Sequence, residues 1–176
     1  MKTTHFPLHP DTPDEGQTLE QLFAGRNLNL DQARQQMVEL MAAEGLPYGN
    51  RTHTFNSRLA QELGAWADTQ PGGEVIHLAL FQAYFVAGKN LANVELLVET
   101  ARDAGLDAEG AREALHTRAF SDVVDADWQR AMSLGVTGVP TFVAGGLGVV
   151  GAQPLSALQA LLQQAGALPL SPSDDA

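Results

Sequence analysis

The sequence predicts an α/β protein in which short β segments near the two ends enclose a long run of helices. From Thr18 to Met132, apolar residues recur mostly at helical spacing, interrupted by Gly and Pro. After Gly135 the pattern changes to β-branched and aromatic runs separated by glycines, which is typical of a hairpin. The 176 residues are most simply one domain, long enough to bury a core of its own.

Residues 1–16 are predicted to be irregular. Its three prolines lack the backbone N–H that a regular helix or a strand ladder requires. At most, residues 3–6 form a short strand that leads into a loop. A helix over residues 18–25 is then expected, entered from a turn at Gly16.

Polar caps and glycine or proline stops delimit the next two helices. Asn29 precedes a helix with one apolar face, and Gly45 ends it. Asn56 or Ser57 begins the following helix, which stops at the turn of residues 71–73.

The helices that follow differ in how apolar they are. Residues 75–86 are apolar nearly all round, so this helix is predicted to be buried on most sides. Asn93 and Asp107 begin two amphipathic helices after it. A further amphipathic helix is predicted over residues 120–132, and Gly135 ends it.

A hairpin and one helix complete the pattern. Residues 139–144 and 149–150 are predicted strands, with the turn in the glycine-rich residues 145–148. The last amphipathic helix starts after Pro154, and residues 167–176 are predicted to be a flexible tail.

Composition excludes several classes of function. A net charge of -11 disfavours nucleic-acid and anionic membrane partners, because phosphate binding needs a basic surface. The N-terminal residues lack the apolar core of a secretory signal, so a cytoplasmic location is expected. The sequence contains no cysteine, which excludes disulfides, Cys-ligated zinc and a Cys nucleophile within it. No cofactor is predicted.

Three local patterns have an ordinary structural interpretation. Residues 146–151 fit G-x-G-x-x-G, but the strand–turn–helix context of a nucleotide site is absent, so a hairpin turn is favoured. Ser57 has no G-x-S-x-G context and is predicted to be a helix cap rather than a nucleophile. No two histidines lie four residues apart on one predicted helix, so no metal site is predicted. The histidines are His5, His9, His53, His77 and His116.

Five short segments occur in an order that matches one protein family. They are residues 5–13 (HFPLHPDTP), 56–60 (NSRLA), 80–85 (LFQAYF), 134–143 (LGVTGVPTFV) and 151–154 (GAQP). Together they resemble the FrnE-like branch of the DsbA family, which is related to 2-hydroxychromene-2-carboxylate isomerases and kappa-type glutathione transferases. The resemblance implies an α/β, thioredoxin-like fold with a large all-helical insertion.

The same resemblance implies a division of the chain. Residues 1–16 would be a remnant of the thioredoxin-like part, with its second strand and loop. Residues 17–134 would be the helical insertion, and residues 135–166 the cis-proline loop, hairpin and last helix. In the family, a strand and a helix opening with Cys-x-x-C precede the segment near His5. We therefore expect the N-terminal βα unit to be missing, a truncation of about 30 residues or more.

The implied activity is thiol–disulfide oxidoreduction with protein or peptide thiols. The chain is expected to be redox-inactive by itself, because it has no cysteine and hence no catalytic residue. Pro140 matches the cis-proline of the family. By resemblance, Val139 and Pro140 form the substrate-binding edge, and Thr137 and Gly138 shape its loop.

Two alternatives remain open. One is a glutathione-binding isomerase or transferase of the kappa type, which uses Ser in place of the redox cysteines. The other is a non-catalytic remnant that binds peptides through Val139 and an exposed sheet edge. Pairing of two such edges in a homodimer would stabilise the remnant.

Overall fold

The computed structural model describes residues 2–168, which fall into two compact units. The larger unit is His9–Asp127, and the smaller unit combines the residues up to Leu8 with those from Trp128 onward. The predicted strand at residues 3–6 is in the smaller unit. The predicted flexible tail lies, from residue 169 onward, outside the described residues.

The larger unit is mainly helical. It contains β1 (Gln17–Thr18), α1 (Leu19–Leu22), α2 (Leu30–Ala43), β2 (His53–Thr54), α3 (Arg58–Ala67), α4 (Val75–Phe81), a π-helical segment (Gln82–Val86), α5 (Val94–Asp103) and α6 (Ala108–Thr117). Then α7 (Ser121–Ser133) runs across the division between the units. The smaller unit also holds β3 (Thr141–Ala144), β4 (Leu147–Val150) and α8 (Leu155–Gln164).

The core of the larger unit lies among α3, α4, α5 and α6, which pack against one another. Each helix contributes an apolar face, as the helical periodicity predicts. The side chains with no exposed surface, or almost none, include Leu63, Ile76, Leu97 and Leu115.

Most predicted helix starts are confirmed. The side chains of Asn29, Asn93 and Asp107 each accept a backbone hydrogen bond in the first turn of α2, α5 and α6. At α3 the prediction needs a correction. Ser57 occupies the N-cap position but its side chain makes no capping hydrogen bond; Asn56 Oδ1 instead accepts from Arg58 N at 2.9 Å.

The N-terminal predictions were partly wrong. Residues 3–6 form no strand in the described structure. A strand needs a ladder partner, and β3 and β4 pair with each other alone. Thr18, predicted to be helical, instead belongs to β1, which pairs antiparallel with β2. Thr18 then caps α1, which is a single turn.

The apolar helix over residues 75–86 is buried on one side only. Ile76 and Leu80 are buried, whereas Leu78 is 58% and Phe81 61% exposed. The prediction that most sides are buried was therefore wrong. Helices α3 and α5 pack against one face of α4, and the side chains of Leu78 and Phe81 on the other side remain mostly exposed.

The end of this helix widens into a π turn. The Ala87 N–H donates to the carbonyl of Gln82, five residues back, at 3.0 Å. Periodicity gives no signal for such a turn, because it spans a single turn of the helix.

The predicted hairpin is confirmed, but β3 begins at residue 141 rather than 139, and residues 147–148, predicted to lie in the turn, belong to β4. β3 and β4 pair antiparallel, with Ala144 opposite Leu147. The two turn residues, Gly145 and Gly146, have φ values of 55° and 79°, which glycine adopts without a steric penalty. Gly148 lies in β4, so residues 146–151 do not form a phosphate-binding turn between a strand and a helix.

The longest of the described helices, α2, has 14 residues and buries none of them. Its predicted apolar face includes Leu40, which is 59% exposed. Between residues 2 and 168, no helix combines the length and the apolar character needed to cross a lipid bilayer.

Candidate functional site

The loop between α7 and β3 contains all four residues predicted for the substrate-binding site. The peptide bond between Val139 and Pro140 is cis. Thr141 Oγ1 donates to the Gly138 carbonyl at 2.7 Å, and the Gly151 N–H donates to the Pro140 carbonyl at 2.7 Å. Hydrogen bonds on both sides therefore fix the backbone around the Val139–Pro140 pair.

Val139 combines an exposed side chain with unpaired backbone groups among the described residues. The residue is 48% exposed. No hydrogen bond formed by the described residues involves its N–H or its carbonyl. Thr137 and Pro140 are exposed as well, and Gly138 is half-buried. The loop thus presents an apolar side chain next to backbone groups that are able to pair with an extended peptide.

The hairpin beside this loop is a sheet of two strands with open edges. Each strand has the other as its sole partner among the described residues. α8 packs against both strands. Several apolar residues of the smaller unit nevertheless remain more than 40% exposed: Leu134, Val143, Leu147, Val150, Leu155 and Leu162.

An ion-pair network surrounds Glu62 in the larger unit. The Glu62 side chain is 1% exposed and accepts from Arg58 Nε at 2.6 Å and from Arg118 Nε and Nη2 at 2.7 Å each. Arg58 also donates to Asp125 at 2.6 Å. Burial alone would raise the pKa of Glu62, but the hydrogen bonds from Arg118 and Arg58 outweigh burial and lower it.

This network gives the NSRLA segment a structural role. Arg58 joins α3 to α7 through Asp125 and through the Ser121 carbonyl, which accepts at 2.8 Å. Arg118 reaches Glu62 from a left-handed backbone conformation with φ of 55°. The one-turn spacing of Arg58 and Glu62 is visible in the sequence, but the contribution of Arg118 is not.

A second polar cluster, centred on Arg51, was not predicted. Its guanidinium lies over the rings of Tyr84 and Phe85, at 4.7 Å and 5.6 Å from their centroids. Nη1 donates to Tyr84 Oη at 2.7 Å and to the His53 carbonyl at 3.1 Å. Tyr84 Oη in turn donates to Thr54 Oγ1 at 3.0 Å. The two aromatic rings belong to the LFQAYF segment noted in the sequence, but no sequence pattern indicated that Arg51 would lie over them.

The histidines remain scattered. His77 Nε2 lies 2.7 Å from Asp68 Oδ1, and His53 Nδ1 lies 2.9 Å from Thr52 Oγ1. In the described part of the chain, no three His, Asp or Glu side chains converge as the ligands of a metal would.

The chain is similar in sequence to a protein of known structure and to a protein of Bacillus subtilis. The crystal structure of the probable DsbA oxidoreductase SCO1869 from Streptomyces coelicolor is 35% identical, with a TM-score of 0.79, over 96% of this chain and 76% of that one. The uncharacterized protein YwbO of Bacillus subtilis is 32% identical over 81 residues. That match covers 46% of this chain and 40% of YwbO, so it spans less than half of the relative's length.

Two further matches concern the fold and the family. A crystal structure from Nitrosomonas europaea is 18% identical, with a TM-score of 0.61, over 78% of this chain and 74% of that one, and supports the fold alone. The model of the DSBA-like thioredoxin domain matches residues 1–163. The fold is therefore α/β and thioredoxin-like with a helical insertion, and the chain belongs to the family of DSBA-like thioredoxin domains.

Proposed function

We propose that this chain is the greater part of a thiol–disulfide oxidoreductase of the FrnE-like branch. In this proposal the loop of residues 137–140 holds the substrate, and the redox Cys-x-x-C lies on a strand and helix that precede residue 5 in the complete protein. The observation that carries the proposal is Val139, which is exposed and has no backbone hydrogen bond among the described residues, in a chain that belongs to the DsbA-like family.

The open hairpin supports the position of the additional strand. A two-stranded sheet is marginally stable in water and usually needs further strands or a helix on its apolar face. α8 supplies one packing partner, yet Val143 and Val150 remain about half exposed. A strand placed along β3 would pair its open edge and cover apolar side chains there.

The proposed chemistry assigns this chain the binding step. A cysteine thiolate attacks one sulfur of the substrate disulfide, forms a mixed disulfide and releases the other sulfur as a thiolate. The second cysteine of the Cys-x-x-C then displaces the substrate, so the substrate is reduced and the cysteine pair is oxidised. Val139 would align the peptide through its free N–H and carbonyl, as in strand addition.

The proposal includes the division of the chain into structural parts that was inferred from the sequence. Residues 1–16 and 135–166 would belong to the thioredoxin-like part and residues 17–134 to the helical insertion.

The substrates would be protein or peptide thiols in the cytoplasm. Fractionation of the source cells tests this location, because a periplasmic or secreted protein would contradict it.

The activity test is reduction of insulin disulfides by the protein isolated from its own source. We expect Pro140→Thr to slow the reaction about tenfold or more, because it disturbs the backbone that aligns the peptide. Pro71→Thr, at an exposed turn of the larger unit, is the matched control and should react like the wild type. Equal rates for Pro140→Thr and the wild type would contradict the role of the loop.

A second candidate is a cysteine-free binding module. It is favoured by the absence of cysteine from the sequence together with the exposed Val139 loop. In this case an unfolded or extended peptide would bind without thiol chemistry, and the affinity would fall in Pro140→Thr. If the two proteins bind such peptides equally, the loop is not a binding site.

A further inference from the structure

Two hydrogen bonds hold the loop between α7 and β3. The Gly151 N–H donates to the Pro140 carbonyl at 2.7 Å, and this backbone bond extends the pairing of β3 with β4. Thr141 Oγ1 donates to the Gly138 carbonyl, also at 2.7 Å. The first bond fixes the end of the loop next to β3, and the second fixes the part that precedes Val139.

The part of the loop formed by residues 137–139 depends on the Thr141 hydroxyl alone. Among the described residues, these three form no other hydrogen bond. A Cβ atom at Gly138 would meet no atom within 4 Å, so nothing packs closely against that side of the backbone. Val139 is 48% exposed. Removal of the hydroxyl would therefore leave this part of the loop without a specific restraint.

Thr141 is suited to this role because it is the first residue of a paired strand. It lies opposite Val150 in the antiparallel register of β3 and β4. Its β-branched side chain has few favourable rotamers, which limits the directions in which the hydroxyl points. The residue is half-buried, so water competes less for the Gly138 carbonyl than at a fully exposed position. The hydroxyl thus extends the order of the hairpin into the loop.

The same two bonds decide which carbonyls of the loop are free. Those of Gly138 and Pro140 are occupied. From residue 138 to residue 140, the Val139 carbonyl alone has no partner among the described residues. Loss of the Thr141 hydroxyl would free the neighbouring Gly138 carbonyl, which would then compete for the N–H groups of an extended peptide.

The order of the loop matters for binding. A restrained loop binds an extended peptide more tightly than an unrestrained one, because less conformational entropy is lost when the complex forms. Glycine loses more of this entropy on ordering than any other residue. A restraint at Gly138, next to the proposed contact at Val139, is therefore where it has the largest effect.

We propose that Thr141 is a positioning residue of the substrate site. Its hydroxyl holds the Gly138 carbonyl, so that the N–H and the carbonyl of Val139 face a peptide in one orientation. Thr141 acts through Gly138 and does not itself touch the substrate. The inference rests on the proposed function in one respect, that a peptide binds at Val139, and it applies equally to the oxidoreductase and to the cysteine-free binding module.

Peptide binding by the full-length protein tests this role. The probe is a fluorescently labelled insulin B chain with carboxymethylated cysteines, so that thiol chemistry contributes nothing, and fluorescence anisotropy gives its affinity. Thr141→Val keeps a β-branched side chain but loses the donor, so the affinity should fall about three- to tenfold. Thr141→Ser keeps the hydroxyl and should restore most of the affinity. Equal affinity of Thr141→Val and the wild type would overturn the proposal.

Thr117→Val is the matched control. Thr117 Oγ1 also donates to a backbone carbonyl, that of Glu113, at 2.7 Å, but within α6 of the larger unit. This variant should bind the B chain like the wild type. An equal loss of affinity in the two valine variants would mean that the position of the hydroxyl is irrelevant, which would overturn the proposal. If Thr141→Val does not fold, Thr141→Ala takes its place in the comparison with Thr141→Ser.

Backbone NMR relaxation separates a failure of this inference from a failure of the proposed function. The order parameter of the Val139 amide should fall in Thr141→Val and stay unchanged in Thr117→Val. A wild type without affinity for the B chain would contradict peptide binding at the loop, and a lower order parameter in Thr141→Val would then still support the restraint. An unchanged order parameter would overturn the restraint whatever the affinity.

Discussion

At the scale of single residues, Glu62 shows how the larger unit accommodates a charge in its core. Its carboxylate has almost no contact with solvent, and two arginines satisfy both of its oxygens. Such a pair contributes little net stability relative to an apolar core, but removal of one partner leaves the other charges unpaired. Substitutions that remove the Glu62 carboxylate are therefore expected to destabilise the protein.

Replacement of Glu62 by Gln should destabilise the protein by about 3 kcal/mol, because Arg58 and Arg118 lose their shared carboxylate. The free energy of unfolding in urea measures this change. Glu95→Gln is the control, because Glu95 pairs with Arg112 at the surface and should matter much less. An equal loss in the two variants would contradict a special role for the buried network.

The stability that Glu62 contributes to the folded protein should depend on pH. Because its folded-state pKa is lowered, Glu62 stabilises the protein above its unfolded pKa of about 4.3, and this stability is lost as the pH falls through the folded value. The wild type should therefore lose more stability than Glu62→Gln on acidification below about pH 4.3. Parallel stability curves for the two proteins would show that Glu62 does not titrate as proposed.

At the scale of elements, the close contact between Gly49 and the π-helical segment positions Arg51. A side chain at Gly49 would meet the backbone of Val86, which cannot move without breaking the turn. The segment from Gly49 to β2 thus depends on one residue without a Cβ atom.

Gly49→Ala should destabilise the protein by about 1–3 kcal/mol, because the added methyl group overlaps the Val86 carbonyl. Gly138→Ala is the matched control, since a Cβ there meets no atom within 4 Å, and should change stability by less than about 0.5 kcal/mol. Thermal unfolding of the two variants measures the difference. A neutral Gly49→Ala would mean that the contact is looser than the structure indicates.

Local signals predicted several elements of this fold. Caps such as Asn93 and Asp107 and the two glycines of the hairpin turn act through neighbouring backbone groups, so a short window of sequence contains the information. The cluster at Arg51 depends instead on Tyr84, which is distant in the sequence, and β1 is too short to show a period. The exposure of Leu78 is likewise decided by which helices pack against α4.

At the scale of the whole molecule, each unit leaves apolar surface uncovered in a different way. In the larger unit this surface lies on α2 and α4, away from the packed core. In the smaller unit it lies on the hairpin and α8. In the function proposed above, a further strand of the complete protein would pair with the open edge of the hairpin.

The central proposal is that the complete protein is a thiol–disulfide oxidoreductase whose redox cysteines precede the chain described here. The most direct test is the intact mass of the protein from its own source, measured before and after thiol alkylation. We predict a mass above 18.7 kDa that increases by a pair of alkyl groups. A mass of 18.7 kDa without any alkylation would contradict the oxidoreductase and leave the cysteine-free binding module.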